Sequence, residues 1–230
     1  MDHAELAERF VASAYPLADI AILAGSTARG ARTPTSDIDL LLIGDALFSG
    51  TSNISEAATH EFEGEVFEVF AYTPEGFEGW ANRGTEQGRP VIVHMLMEGV
   101  PIRASTSLTG LRARWGAILA AGPSLEPAES RFRRYMITDL LDDLRDATDA
   151  LEGQVVAGLL FERVAELMLL DAGRWTATGK WLPRRLRDLS DSRAERLSAP
   201  LLAGDLATFA DRVEDELRRA GGRVQAGFVR

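Results

Sequence analysis

Two aspartates stand at the mouth of an unbroken apolar run, Asp37-Ile38-Asp39-Leu40-Leu41-Leu42-Ile43. Residues i and i+2 of a strand point to the same side. A strand here aims Asp37 and Asp39 together and turns Ile38 and Leu40 into the core. Carrying two charges into a buried strand is costly unless they are satisfied. Adjacent carboxylates repel, and a cation between them relieves the repulsion. Hard oxygen ligands of this kind suit Mg²⁺, which keeps several waters and takes further ligands from phosphate oxygens.

A second apolar run, Ile20-Ala21-Ile22-Leu23-Ala24, ends in Gly25-Ser26. Ten residues, from Thr27 to Ser36, separate that pair from Asp37. Gly25 permits unusual dihedrals and a close backbone approach to a phosphate. Ser26 is expected to open a short helix, whose free N–H groups face an anion. Arg29, one turn on, is either a source of charge-assisted bonds to the same anion or a surface arginine. Gly25 and Gly30 have P-loop separation, but Ala31 and Arg32 stand where that motif needs Lys and Ser or Thr.

Taken together, the strand ending in Gly25-Ser26, the spacing, and Ser36-Asp37-Ile38-Asp39-Leu40 resemble the DNA polymerase β-like nucleotidyltransferase superfamily. The resemblance directly covers about residues 18–44. It implies phosphate binding at Gly25 and Ser26, and two Mg²⁺ ions on a carboxylate set that a later strand completes. Within Gly64-Glu65-Val66-Phe67-Glu68-Val69-Phe70-Ala71-Tyr72, Glu68 is flanked by apolar residues in a β-rich run. It is the expected third carboxylate. Glu61, Glu63 and Glu65 alternate around Gly64 as in a solvated hairpin arm.

The chain has 230 residues, 46% of them hydrophobic, enough for one large or two small domains. With no cysteine and only His3, His60 and His94, thiolate and histidine metal sites are disfavoured. His94 is read as a core histidine in an apolar strand and left outside the site. No signal peptide or membrane span is visible, so the expected location is the cytoplasm. The formal net charge of −10 disfavours nucleic acid as a partner, since a polyphosphate backbone calls for a basic surface.

The expected class is α+β, with two domains. Residues 1–122 form a small mixed-sheet nucleotidyltransferase domain, with strands near 19–24, 37–43, 64–73 and 91–97. The Gly122-Pro123-Ser124-Leu125-Glu126-Pro127 segment reads as a linker. Residues 127–230 form an all-α bundle, with helices over 128–151, 154–171, 183–201 and 203–221.

Lys180, the sole lysine, lies in Gly179-Lys180-Trp181-Leu182-Pro183. That string is similar to the helical domains of aminoglycoside (antibiotic) nucleotidyltransferases, where such a basic residue contacts the triphosphate. The competing reading is a surface lysine. Asp139, Asp142, Asp143, Asp146 and Asp149 recur at helical spacing, which suits either a solvated face or an acidic wall for a cationic acceptor. Glu162 and Glu166, four apart in an apolar helix, are candidate acceptor-binding residues or general bases. Trp175 and Trp181 suit either stacking on a base or sugar, or core packing.

The resemblance implies transfer of a nucleoside monophosphate, AMP from ATP first among them, to a small-molecule hydroxyl of aminoglycoside type. The alternatives are an antitoxin-like enzyme acting on a protein or RNA, and a non-catalytic nucleotide-binding module.

Overall fold

The computed structural model describes residues 2–225. The chain forms two compact units, Met1–Ala121 and Gly122–Arg230. The first contains α1 (His3–Ala14), β1 (Ile20–Leu23), α2 (Gly25–Ala28), β2 (Ile38–Ile43), β3 (Ser55–Phe62), β4 (Glu65–Tyr72), α3 (Pro74–Glu86), α4 (Val91–Glu98), β5 (Val100–Arg103) and α5 (Ser107–Ala121).

The five strands form one mixed sheet in the order β3-β4-β2-β1-β5. Strand β2 lies at its centre, antiparallel to β1 and parallel to β4. Apolar side chains cover it on both faces. Ile38, Leu40 and Leu42 pack with Leu6, Phe10 and Val11 of α1. Leu41 and Ile43 pack with Phe77 of α3, Val93 and Leu96 of α4, and Trp115 of α5. A strand buried on both sides reads as continuous rather than alternating hydrophobicity, which explains Leu40–Ile43.

Strands β3 and β4 form a hairpin whose turn holds Glu63 and Gly64, both at positive φ (50° and 81°). Two such residues make the turn that matches strand twist. Arg9 of α1 holds Glu63 at 2.7 Å. The hairpin arm expected around Glu61–Glu65 is therefore present, and β3 is a full strand of eight residues.

Residues 91–97, expected as a strand, form α4 instead. An apolar run without alternation carries no period to separate strand from buried helix. Val93 and Leu96, three apart, are buried, whereas Val91 is exposed. His94 consequently sits on a helix, bonded through Nδ1 to Glu98 at 3.0 Å. The strand of this region is β5, just beyond Gly99; Pro101 fits it because β5 is an edge strand paired only with β1.

Among the described residues, the regular elements of the second unit are helices: α6 (Pro127–Asp146), α7 (Ala150–Asp171), α8 (Trp181–Leu189), α9 (Asp191–Leu202) and α10 (Leu206–Arg219). Ile137, Leu141, Leu160, Val164, Leu197, Phe209 and Val213 meet in its core. The single helix expected over 183–201 is two, divided at Ser190. That residue is extended, and its hydroxyl accepts from the Arg193 amide, which caps α9. Asp149 likewise caps α7, accepting from the Leu151 and Glu152 amides at 2.9 Å.

Trp115 is fully buried beneath the sheet, edge-on to Phe77 at 6.0 Å between ring centroids. Trp115→Ala is expected to destabilise the first unit by ~3–5 kcal/mol, the usual cost of emptying a large aromatic site. Urea denaturation followed by far-ultraviolet circular dichroism checks this as a lowered unfolding midpoint.

Candidate active site

The register of β2 against β4 sets Asp39 beside Glu68. Asp37 lies two residues before Asp39, one position outside the strand. One carboxylate oxygen from each of Asp37, Asp39 and Glu68 lies within 4.8 Å of the other two. All three residues are half-buried. Further along the same sheet face, Leu41, Ile43 and Tyr72 are buried under α3, α4 and α5. The charges thus occupy the open end of a face whose remainder is core.

The Gly-Ser turn packs onto this carboxylate set. The Ala24 amide donates to the Asp39 carbonyl at 2.9 Å, which extends the β1–β2 ladder by one step. The Thr27 hydroxyl donates to the Asp37 carbonyl at 3.3 Å. Gly25 has φ +65°, and a Cβ there would lie 1.6 Å from Asp39 Oδ2 and 2.5 Å from Asp39 Cγ. No side chain fits that space. The group that approaches Gly25 in the fold is the Asp39 carboxylate.

Burial pushes the Glu68 carboxyl up from its ordinary range, and the neighbouring Asp37 and Asp39 push it further in the same direction. Like charges this close disfavour joint ionisation. A divalent cation among them would offset both effects, and three hard oxygen donors fit such an ion.

Ser26 lies within α2, and Arg29 closes that helix. Arg29 pairs with Glu98 at 3.4 Å, and Glu98 also receives His94. In the second unit, Lys180 is exposed at the start of α8, just after Gly179 at φ +52°. Glu166 is only 5% exposed and pairs with Arg133 at 3.2 Å and Arg163 at 3.4 Å. Glu162 is half-buried on the same helix.

Of the acidic series, Asp139, Asp143 and Asp146 are exposed, Asp142 binds Arg223 and Gln225, and Asp149 serves as a cap. Trp181 carries the Arg184 guanidinium over its ring at 4.5 Å. Thr27 and Arg32 hold the backbone around Asp37 and were not identified from sequence. Bonds from side chain to distant backbone leave no periodic signal, which is why they escape such a reading.

Residues 5–79 match the family model of the nucleotidyltransferase domain. That stretch runs from α1 into α3 and includes all three carboxylates. No curated protein sequence matches the chain significantly. A crystal structure of a nucleotidyltransferase-like protein from Exiguobacterium sibiricum 255-15 superposes with a TM-score of 0.51. The match covers 94% of this chain and 74% of that one, at 16% identity, and at that distance it is a likeness of fold.

Glu68→Gln tests the repulsion directly. A carboxyl whose native pKa is raised binds more protons folded than unfolded, so it costs stability as pH rises from the ordinary glutamate range through the raised value. Above that window the metal-free Glu68→Gln protein is expected to melt higher than wild type. Near pH 4 the difference should vanish. Melting curves in EDTA across pH 4–8 check both ends.

Proposed function

We propose that this protein is a Mg²⁺-dependent nucleotidyltransferase. It moves a nucleoside monophosphate, AMP from ATP in the first instance, to the hydroxyl of a small cationic molecule of aminoglycoside type. The observation that carries this reading is the convergence of Asp37, Asp39 and Glu68 within a stretch matching the nucleotidyltransferase domain model. The acceptor oxygen forms a bond to the α-phosphorus, the bond from that phosphorus to the bridging oxygen breaks, and pyrophosphate leaves. The hydroxyl proton passes to a carboxylate base or to water in the same exchange.

Asp37, Asp39 and Glu68 would hold two Mg²⁺ ions, which would supply charge neutralisation for the triphosphate and a lowered pKa for the attacking hydroxyl. Gly25 and Ser26 offer backbone and hydroxyl donors to the phosphates. Arg29 supplies positive charge to the same groups, and Lys180 is a candidate nucleotide-binding residue of the second unit. Glu162, half-buried on α7, is the acceptor-side carboxylate, and Glu166 reaches an acceptor only by leaving its ion pairs with Arg133 and Arg163. A cationic acceptor agrees with the net charge of −10 and with exposed Asp139, Asp143 and Asp146 on α6.

Thermal shifts with ATP, GTP, CTP and UTP, each with and without Mg²⁺, identify the nucleotide. At about a hundred times the dissociation constant, ligand adds roughly 2.7 kcal/mol, a rise of about 5–10 °C for a chain of this size. Pyrophosphate release with a panel of aminoglycosides then tests the reaction. Asp37→Asn or Asp39→Asn is expected to cut release about a thousandfold, as suits the loss of several kcal/mol of transition-state stabilisation. Undiminished release in either variant overturns the metal assignment.

Lys180→Ala is expected to weaken binding of the MgNTP by about tenfold, the value of one charge-assisted contact. The ligand-free melting temperature should stay within about 2 °C. Isothermal titration of both proteins decides this, and equal affinities return Lys180 to the surface.

A further inference from the structure

We propose that Arg32 is a positioning residue for the carboxylate site: its guanidinium joins the Ser36 carbonyl to the Glu65 carboxylate and so sets Asp37 against Asp39 and Glu68. The inference rests on the metal-site reading above and extends it to a residue that touches none of the three ligands.

The paired region of β2 and β4 begins at Ile38 and Phe67. Continued back by two residues, the same register sets Ser36 opposite Glu65. Asp37 precedes the paired region, so the ladder that holds Asp39 beside Glu68 does not reach it. Arg32 takes the ladder's place. Its Nη2 and Nε both donate to the Ser36 carbonyl, at 2.9 and 3.3 Å. Nη2 also pairs with Glu65, the first residue of β4. One planar fork thereby closes the gap between the two strands at the position where backbone pairing stops.

The loop that carries Arg32 is itself tied down. Ser36 Oγ accepts from the Thr33 amide at 2.9 Å, and the Ser36 amide donates to the Thr33 carbonyl at 3.0 Å. The Ala31 amide donates to the Ser26 carbonyl at 2.9 Å, which anchors the loop's start to α2. The Thr27 hydroxyl holds the Asp37 carbonyl. The carbonyls on either side of Asp37 Cα are thus fixed, one by Arg32 and one by Thr27. The Cα–Cβ direction of a residue follows from its backbone, so this pair sets the point from which the Asp37 side chain departs towards Asp39 and Glu68. The Arg32 side chain is 19% exposed and that of Glu65 27%, so both charges are partly shielded from competing water.

The test is Mn²⁺ binding to the full chain, read by electron paramagnetic resonance and by titration calorimetry, beside melting curves in EDTA. Arg32→Lys keeps the charge but loses the fork, and Glu65→Gln keeps the Ser36 bonds but loses the ion pair. Wild type is expected to bind Mn²⁺, and Asp39→Asn is expected not to. Arg32→Lys should bind about 10–100-fold more weakly, the usual range for partners that orient metal ligands. Glu65→Gln should fall between the two, and both melting temperatures in EDTA should lie within about 3 °C of wild type. Wild-type Mn²⁺ affinity in Arg32→Lys overturns the proposal while leaving the metal site standing. Absence of Mn²⁺ binding in wild type overturns the metal site and this proposal together.

Discussion

Repulsion among Asp37, Asp39 and Glu68 is the constraint to which the rest of the first unit answers. Three carboxylates with oxygens inside 4.8 Å oppose folding unless the backbone beneath them is held by something stronger. That backing is the pair of strands β2 and β4, parallel and adjacent, with Ile38, Leu40, Phe67 and Val69 fully buried on the opposite face. Burying each such side chain contributes about 1.5–3 kcal/mol. The hydrophobic backing outweighs a repulsion that half-exposed carboxylates share with water.

The carboxylates stay accessible because the elements around them stop short of their end of the sheet. Trp115, Phe77 and Leu96 cover the far end of the same face. The Gly25 turn covers only one side of Asp39, and does so without a side chain. A residue with a Cβ at this position would both strain the turn and displace the carboxylate. One glycine therefore meets two demands, a left-handed backbone and room for the Asp39 carboxylate.

The second unit distributes its charge differently. Glu166 is nearly buried and compensated by Arg133 and Arg163, as a carboxylate in an apolar helix must be. Lys180 is exposed beside a glycine at positive φ, and Asp139, Asp143 and Asp146 face solvent. The same residue types that look alike in sequence thus divide into paired groups, a cap at Asp149, and solvent-exposed charges.

Much of this was legible in the chain itself. The paired aspartates before Leu40–Ile43, the Gly25-Ser26 turn and the acidic residue in an apolar β-rich run are local patterns, although Asp37 lies one residue before β2, beyond the reach of the strand period. The α+β class followed from the change to helical spacing past residue 104. The nature of residues 91–97 was not legible, because a uniformly apolar stretch has no period; packing of Val93 and Leu96 under the sheet decided for helix. Nor was the break at Ser190, where a capping hydroxyl outweighed helical continuity. Only the tertiary structure could pair β2 in parallel with β4, so that Asp39 meets Glu68, and bring Arg32 to Ser36 and Glu65. Those contacts join residues that sequence separates, and their register depends on how two sheet faces are covered at once, which no local pattern encodes.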